Sequence, residues 1–524
     1  MDVVDDWTAE RAAMLQAACR MTNEQFAEKL GVSTRTVANW NSGVHPRTAE
    51  MKASLDTMLQ EKITDAARAR FRLMVEAETA RTAAADRDLN AAEQRLTNDP
   101  NIGAALDWLD QHANWAPGTA RKRVARELVS AEPGEVNDRR QLRSKVDREQ
   151  ASAALRAFYA DLPDGYGRYS AHAGDGSVCT SILTRPEWID LACTLTPAND
   201  QADLSRKASL QTSVLPEYAI SAAVRRLAET LEANTRLVDA DLYRLVEIDV
   251  APGKLAGTFG LTSFVHYALT MDLLEAELAD AIATGKALDS SSLPLRAHYM
   301  PDTASVLDVR SRLCAGGALA LTAIARPAGM RRRKADYLLL VQERGGRVLN
   351  AARRLAVIPK SFHEPLSDFR EDTQIGSTLR REMEEELFGR DDVDGTISSP
   401  RSADPMHPSR LSTPMRWLSE RPDSWRMECT GFGLNLVSGN YEYASLVVIE
   451  DDEFWAECGG EIAANWESES LRQYSSTDRE MLEELVSDKA WSNEGLFAFL
   501  QGLRRLAEIG GERVDAPTVD WELD

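Results

Sequence analysis

Apolar residues recur at helical spacing through residues 8–150 and then give way to alternating helical and strand-like runs. Residues 8–60 predict short amphipathic helices joined by tight turns. From about Ala49 to Asn98 the pattern becomes one long Ala-, Glu- and Arg-rich stretch without Pro or Gly. Within it Leu55, Leu59, Ile63, Ala66, Met74 and Ala77 form a thin apolar stripe. So narrow a stripe cannot hold a helix by itself and calls for a partner, in a second copy of the chain or on the following domain. Asp99–Pro100 ends the stretch, and Ile102–Ser130 predicts two further helices split at Ala116–Gly118.

Ala160–Ser177, with Pro163 and several glycines, reads as an exposed loop. Beyond it Glu217–Asn234, Thr262–Ala283 and the tail Thr477–Ile509 are helical by period. Leu242–Val250, Ala318–Arg326, Tyr337–Glu343, Arg354–Ile358 and Ser445–Glu450 are rich in Val, Leu, Ile and Tyr and predict strands. Arg344–Arg347, centred on Gly345–Gly346, reads as a hairpin turn between two of them. The expected fold is multidomain: an all-α N-terminal domain over residues 1–60, a helical connector over 61–150, a mixed α/β region over 151–316, and an α+β domain over 317–524.

Composition narrows the classes. With 43% apolar and 27% charged residues the chain has the make-up of a soluble globular protein. Its longest apolar runs are strand-length, and Met1–Glu10 carries acids where a secretory leader would carry bases. The six cysteines are scattered, without a CxxC pair, which fits reduced thiols and a cytoplasmic location with no membrane contact. A net charge of −22 argues against DNA binding by bulk electrostatics. Charge acts locally, however, so one helix can dock while distant domains carry the acid. Weak binding by one copy then implies a homodimer on two half-sites.

Thr22–Gly43 carries the first chemistry. Thr22 is placed to cap a helix over Asn23–Leu30, small Ala27 allows a close helix crossing, and Gly31 allows a left-handed turn. Ser33 or Thr34 caps a second helix whose Val37 and Trp40 face inward. Thr34, Arg35, Thr36, Asn39 and Asn41 then point outward, and these are side-chain types that read base edges in the major groove. The segment resembles the Cro and phage-repressor (XRE) family of helix-turn-helix regulators over roughly Met14–Leu59. The resemblance implies a partner, double-stranded DNA, with bases read by Thr34, Arg35 and Asn39. It also implies a phosphate held by Asn23 and a backbone-gripping loop at His45, Pro46 and Arg47.

The second constellation is Thr378–Gly389. On a helix Glu382, Glu385 and Glu386 fall at i, i+3 and i+4, so their carboxylates converge while Glu384 points elsewhere. Converging carboxylates repel unless solvent or a cation relieves them, and they form the oxygen-rich set that Mg²⁺ or Mn²⁺ prefers. Arg381 through Glu386 resembles the core of the Nudix box, and the preceding strands fit that family's sheet. Thr373 and Phe388 stand where the box has its early Glu and late Gly, and Ser367 where it opens on Gly. In an active member Glu382, Glu385 and Glu386 would hold the metal, with Glu385 essential for catalysis.

Other groups read as ordinary surface. The basic run from Arg121 to Arg148 and the cluster Arg331–Lys334 read as solvated faces, with a phosphate contact as the alternative for each. His363 beside Glu364, and His172 near Asp175, read as loop residues without a metal or nucleophile partner. The two resemblances together imply a bacterial-type, ligand-responsive transcription regulator whose Nudix-like domain senses a nucleotide or phosphate metabolite. The alternative they leave is a Mg²⁺-dependent Nudix hydrolase of nucleoside-diphosphate derivatives that carries a DNA-binding head.

Overall fold

Four side chains set the helix starts of the N-terminal region. Thr8, Thr22, Ser33 and Thr48 each accept a hydrogen bond from the backbone N–H three residues on. They open α1 (Ala9–Cys19), α2 (Asn23–Leu30), α3 (Thr34–Asn41) and α4 (Ala49–Thr57). In the computed structural model the described residues are 4, 6–132, 134–174, 176–205, 210, 214–329, 333–345, 353–390, 406–459, 462 and 468–524. Packing divides the chain into two units, Met1–Arg95 and Leu96–Asp524.

In the first unit Trp7, Leu15, Phe26, Leu30, Val37, Trp40, Leu55, Leu59 and Phe71 form one buried core. The single long helix expected from Ala49 is broken. A π-helical turn at Met58–Lys62 ends α4, Ile63 takes extended backbone, and α5 begins anew as Asp65–Asn98. The break resets the helical phase, so Ala67 and Phe71 are buried while Ala66, Met74 and Ala77 of the expected stripe are exposed. Trp7 stacks on Phe71 with ring centroids 5.8 Å apart. Arg70 Nε donates to the Ala18 carbonyl at 2.9 Å, and Arg11 pairs with Glu78 at 3.1 Å. The start of α5 therefore finds its partner in α1 of the same chain.

The second unit is α+β. Its strands are β1 (Gly167–Ala173), β2 (Gly176–Thr184), β3 (Ile189–Thr194), β4 (Asp200–Leu204), β5 (Asp241–Ala251), β6 (Lys254–Ser263) and β7 (Gly316–Arg326). They continue with β8 (Asp336–Arg344), β9 (Leu355–Val357), β10 (Lys360–Phe362), β11 (Trp425–Asn435), β12 (Tyr441–Ile449), β13 (Ser468–Ser475) and β14 (Val519–Leu523). The larger sheet runs β13-β8-β7-β12-β11-β2-β1-β14, with β9 on β8, β10 on β7 and β3 on β11; the smaller runs β4-β6-β5. At its centre β12 lies parallel to β7, Tyr441 opposite Gly316 and Ile449 opposite Ile324. Both strands are buried almost throughout, which is why they read as continuous apolar runs. The helix Asn493–Ile509 packs Leu496, Phe497, Leu500 and Leu503 into the core of this sheet.

Helices followed by an α+β region is thus the order both expected and observed. The boundaries expected at residues 60, 150 and 316 fall inside the two units, because β2 and β3 pair with β11 across the intended division. Ala160–Ser177 holds all of β1, whose Tyr169 and Ala171 are fully buried. Thr262–Ala283 splits into Phe264–Ala268 and Leu273–Ala283, and the tail into Arg479–Val486 and Asn493–Ile509. Gly346 and Arg347 of the expected hairpin, Arg331 and Arg332, and Asp175 lie outside the described residues.

Two glycines allow the central strands to close up. A Cβ on Gly316 would lie 2.0 Å from the Tyr441 carbonyl oxygen, and one on Gly317 would lie 1.9 Å from that of Ser361. Gly317→Ala should therefore cost about 1–3 kcal/mol by forcing β10 off β7. Gly329→Ala, with open space around it, should stay within about 0.5 kcal/mol of the parent. Urea denaturation of both variants checks this, and equal stabilities would contradict the close approach.

Candidate functional site

The outward face of α3 is built from the caps inward. Thr22 and Gln25 form a reciprocal capping box on α2, and Gly31 closes that helix with φ +73°. Ser33 caps α3, and Val37 and Trp40 clamp it to the core at 1% and 3% exposure. Thr34, Arg35 and Asn39 are left exposed in a row on this rigid helix. Thr36 is half-buried and shares a 2.9 Å hydrogen bond with the Ser33 hydroxyl, so it belongs to the cap. Asn23 is half-buried too: its Oδ1 accepts from Gln16 Nε2 at 2.8 Å and from Asn41 Nδ2 at 3.0 Å. Asn41 is thereby a brace between α1, α2 and α3. After α3, His45 Nδ1 accepts from the Ala9 N–H at 3.1 Å, Pro46 is buried, and Arg47 is exposed.

The carboxylate helix behaves differently from expectation. The helix Ile375–Glu382 passes into a π-helical turn at Met383–Leu387. The i→i+5 hydrogen bonds of that turn widen it, so residues at i+3 and i+4 no longer stack above Glu382. Among the described residues no three His, Cys, Asp or Glu side chains could hold a metal ion. Arg381, itself buried, pairs with Glu382 at 3.1 Å and with Glu364 at 3.3 Å. Glu386 accepts from the Lys360 N–H at 2.7 Å and lies 4.0 Å from Arg344. Glu384 is fully buried; it accepts from the Ser412 N–H and hydroxyl, each at 2.6 Å, and from Arg390 at 3.1 Å. Glu385 is half-buried. The donor set does not fit the Mg²⁺ or Mn²⁺ that the Nudix resemblance implies, because Glu382 is paired with Arg381 and Glu386 is engaged by β10, which leaves no three carboxylates grouped to hold an ion among the described residues.

Two buried polar groups lie beside β7 and β12. His363 lies in the loop after β10, as expected, yet it is fully buried there, with Nδ1 3.0 Å from the Tyr441 hydroxyl, and burial pushes its pKa down to about 3. On the other side Lys360 Nζ donates to Glu494 at 2.5 Å, and Asn435 Nδ2 joins Glu494 at 3.2 Å to Glu442 at 3.4 Å. Burial first, and the Glu494 charge second, push Glu442 up to about 8. These groups border a cavity of about 830 Å³ reaching from β7, β10 and β12 to the helices Glu135–Ser144, Arg148–Phe158 and Glu217–Glu232. Arg148 on its wall is 3% exposed. The basic run had hidden it, although Arg148, Ser152 and Leu155 share one buried face at helical spacing.

No protein-family model matches the chain, and no curated protein matches it.

Three outcomes follow from this geometry. Glu384→Ala should cost about 3–5 kcal/mol by stranding Arg390 and the Ser412 N–H. Half-buried Glu385→Ala should cost far less, as chemical denaturation would show. Millimolar Mg²⁺ or Mn²⁺ should leave the melting temperature unchanged, and a rise abolished by Glu385→Gln would contradict the account. Glu442 is held protonated in the fold between its ordinary 4.5 and about 8. Its contribution is thus complete below the unfolded value and is lost as pH rises through that window. Glu442→Gln should gain stability relative to wild type between pH 5 and pH 8, whereas a pH-independent difference in melts would contradict it.

Proposed function

We propose that this chain is a sequence-specific DNA-binding regulator of the XRE helix-turn-helix type, and that its second unit binds a small ligand which alters DNA affinity. The observation that carries the first part is the exposed row Thr34, Arg35 and Asn39 on a helix fixed by its caps and by Val37 and Trp40. A recognition helix must hold its side chains in register with base edges, which demands such rigidity. Arg35 is suited to the O6 and N7 of guanine, Asn39 to adenine, and Thr34 to a thymine methyl or a phosphate. The amide nitrogen of Asn23, braced by Gln16 and Asn41, can donate to a phosphate, and exposed Arg47 can reach the backbone beyond α3.

The acidity of the chain supports a homodimer on two half-sites, since a single head offers few phosphate contacts. A Nudix-like fold kept for binding rather than hydrolysis is supported by the engaged carboxylates Glu382, Glu384 and Glu386. The mechanism would be a population shift, in which the ligand favours the arrangement of two copies that matches the half-site spacing.

Selection of bound duplexes from a random library by the full chain should yield a paired motif with half-site centres about 34–36 Å apart or a multiple of that. On that site Arg35→Ala should lose about 1–3 kcal/mol, confined to one base position, while Asn23→Ala weakens all sequences alike. Equal loss for Arg35→Ala on selected and random DNA would remove the base-reading role.

A further inference from the structure

A chain with far more acids than bases would be expected to line its cavities with acids. The 830 Å³ cavity of the second unit does the reverse, with Arg and Lys outnumbering Asp and Glu on its walls. Several of the acids there are already engaged. Arg226 pairs with Asp272, Lys360 with Glu494, and Arg143 with Glu229 at 2.9 Å. Glu442, protonated at neutral pH, adds no negative charge.

Other cations have no carboxylate partner. Arg148 is 3% exposed, donates through Nη1 to the Cys179 carbonyl, and has no hydrogen-bond partner for Nε or Nη2 among the described residues. Burial pushes its pKa down, the sign of a cation that has lost water without gaining an anion. Half-buried Arg354 donates to the Val146 carbonyl and forms no ion pair among the described residues. An uncompensated buried cation is costly. Buried Arg148 and half-buried Arg354, neither ion-paired among the described residues, on one cavity of small-molecule size, about 300–1,000 Å³ being usual, mark a place where negative charge is to be supplied from outside.

We propose that this cavity binds a small polyanion of nucleotide size, a phosphate-bearing metabolite held by Arg148 and Arg354. Guanidinium forks suit this chemistry, because each presents paired N–H donors to two phosphate oxygens. Neutral Glu442 and the Asn435 amide add hydrogen-bonding groups for the uncharged part of the molecule. The inference rests on the reading of the second unit as ligand-binding, and it names the site and the class of ligand.

The test is calorimetric titration of the full chain with pyrophosphate, tripolyphosphate, nucleoside di- and triphosphates, and an uncharged nucleoside as control. At least one polyanion should bind in the micromolar range and raise the melting temperature, while the nucleoside does not. Arg354→Ala and Arg148→Gln should each weaken that binding by on the order of tenfold or more. If the buried Arg148 variant fails to fold, half-exposed Arg354→Ala decides alone. No binding at millimolar polyanion, or binding that Arg354→Ala leaves unchanged, would overturn the assignment. DNA affinity measured on the same samples separates the two ideas. A polyanion that binds here without altering DNA affinity upholds the site and removes the sensor.

Discussion

A charge taken out of water must be compensated inside the protein, and the second unit is arranged around that constraint. Arg296, fully buried, meets it without an acid, donating to the carbonyls of Leu436 at 2.5 Å, Val437 at 2.6 Å and Leu274 at 3.3 Å. Glu384 meets it with Ser412 and Arg390, and Lys360 with Glu494. These pairs join segments far apart in sequence, so they fix which strands and helices can meet. The parallel β7–β12 pair sits among them, and its close approach at Gly316 and Gly317 depends on the same neighbours. Where compensation is incomplete on the cavity wall, at buried Arg148, a cation is left to meet an anion from outside. Structure and proposed binding are in this sense a single argument about charge.

The first unit solves a simpler problem. Its small core is apolar, and polar side chains do local work at helix ends and in the Gln16–Asn23–Asn41 brace. Because caps and core hold α3 from both sides, Thr34, Arg35 and Asn39 project from a surface that needs little reorganisation on binding. If α3 reads DNA as proposed, the net acidity of the chain matters chiefly for affinity, which two copies would restore, and leaves base selection to these few side chains.

Local physics was readable from the sequence. Thr22, Gly31, Val37 and Trp40 lie within a few residues of the groups they cap or pack against, so spacing alone predicted their roles. Strands β7, β8 and β12 were equally legible, since burial on both faces leaves continuous apolar runs. Non-local effects were not. No Pro or Gly announces the π-turn at Met58–Lys62, and the phase of α5 was therefore misplaced. β1 read as loop because Gly165, Gly167, Gly174 and Gly176 cluster around it, and one of its two partner strands, β14, lies at the far end of the chain. The carboxylates of residues 382–386 looked like a metal site because α-helical geometry brings them together. Their partners, Lys360, Arg390 and Ser412, come from other segments, and the π-helical turn changes the geometry itself. Arg148 was hidden by its basic neighbours, although the phase of its own helix pointed inward.

The proposed DNA-binding role rests on α3. A crystal structure of the full chain with its selected duplex tests this most directly. It should place α3 in the major groove, with Arg35 and Asn39 within hydrogen-bonding distance of base edges and Asn23 on a phosphate. A complex with α3 facing solvent, or with the duplex held only by the second unit, would contradict it.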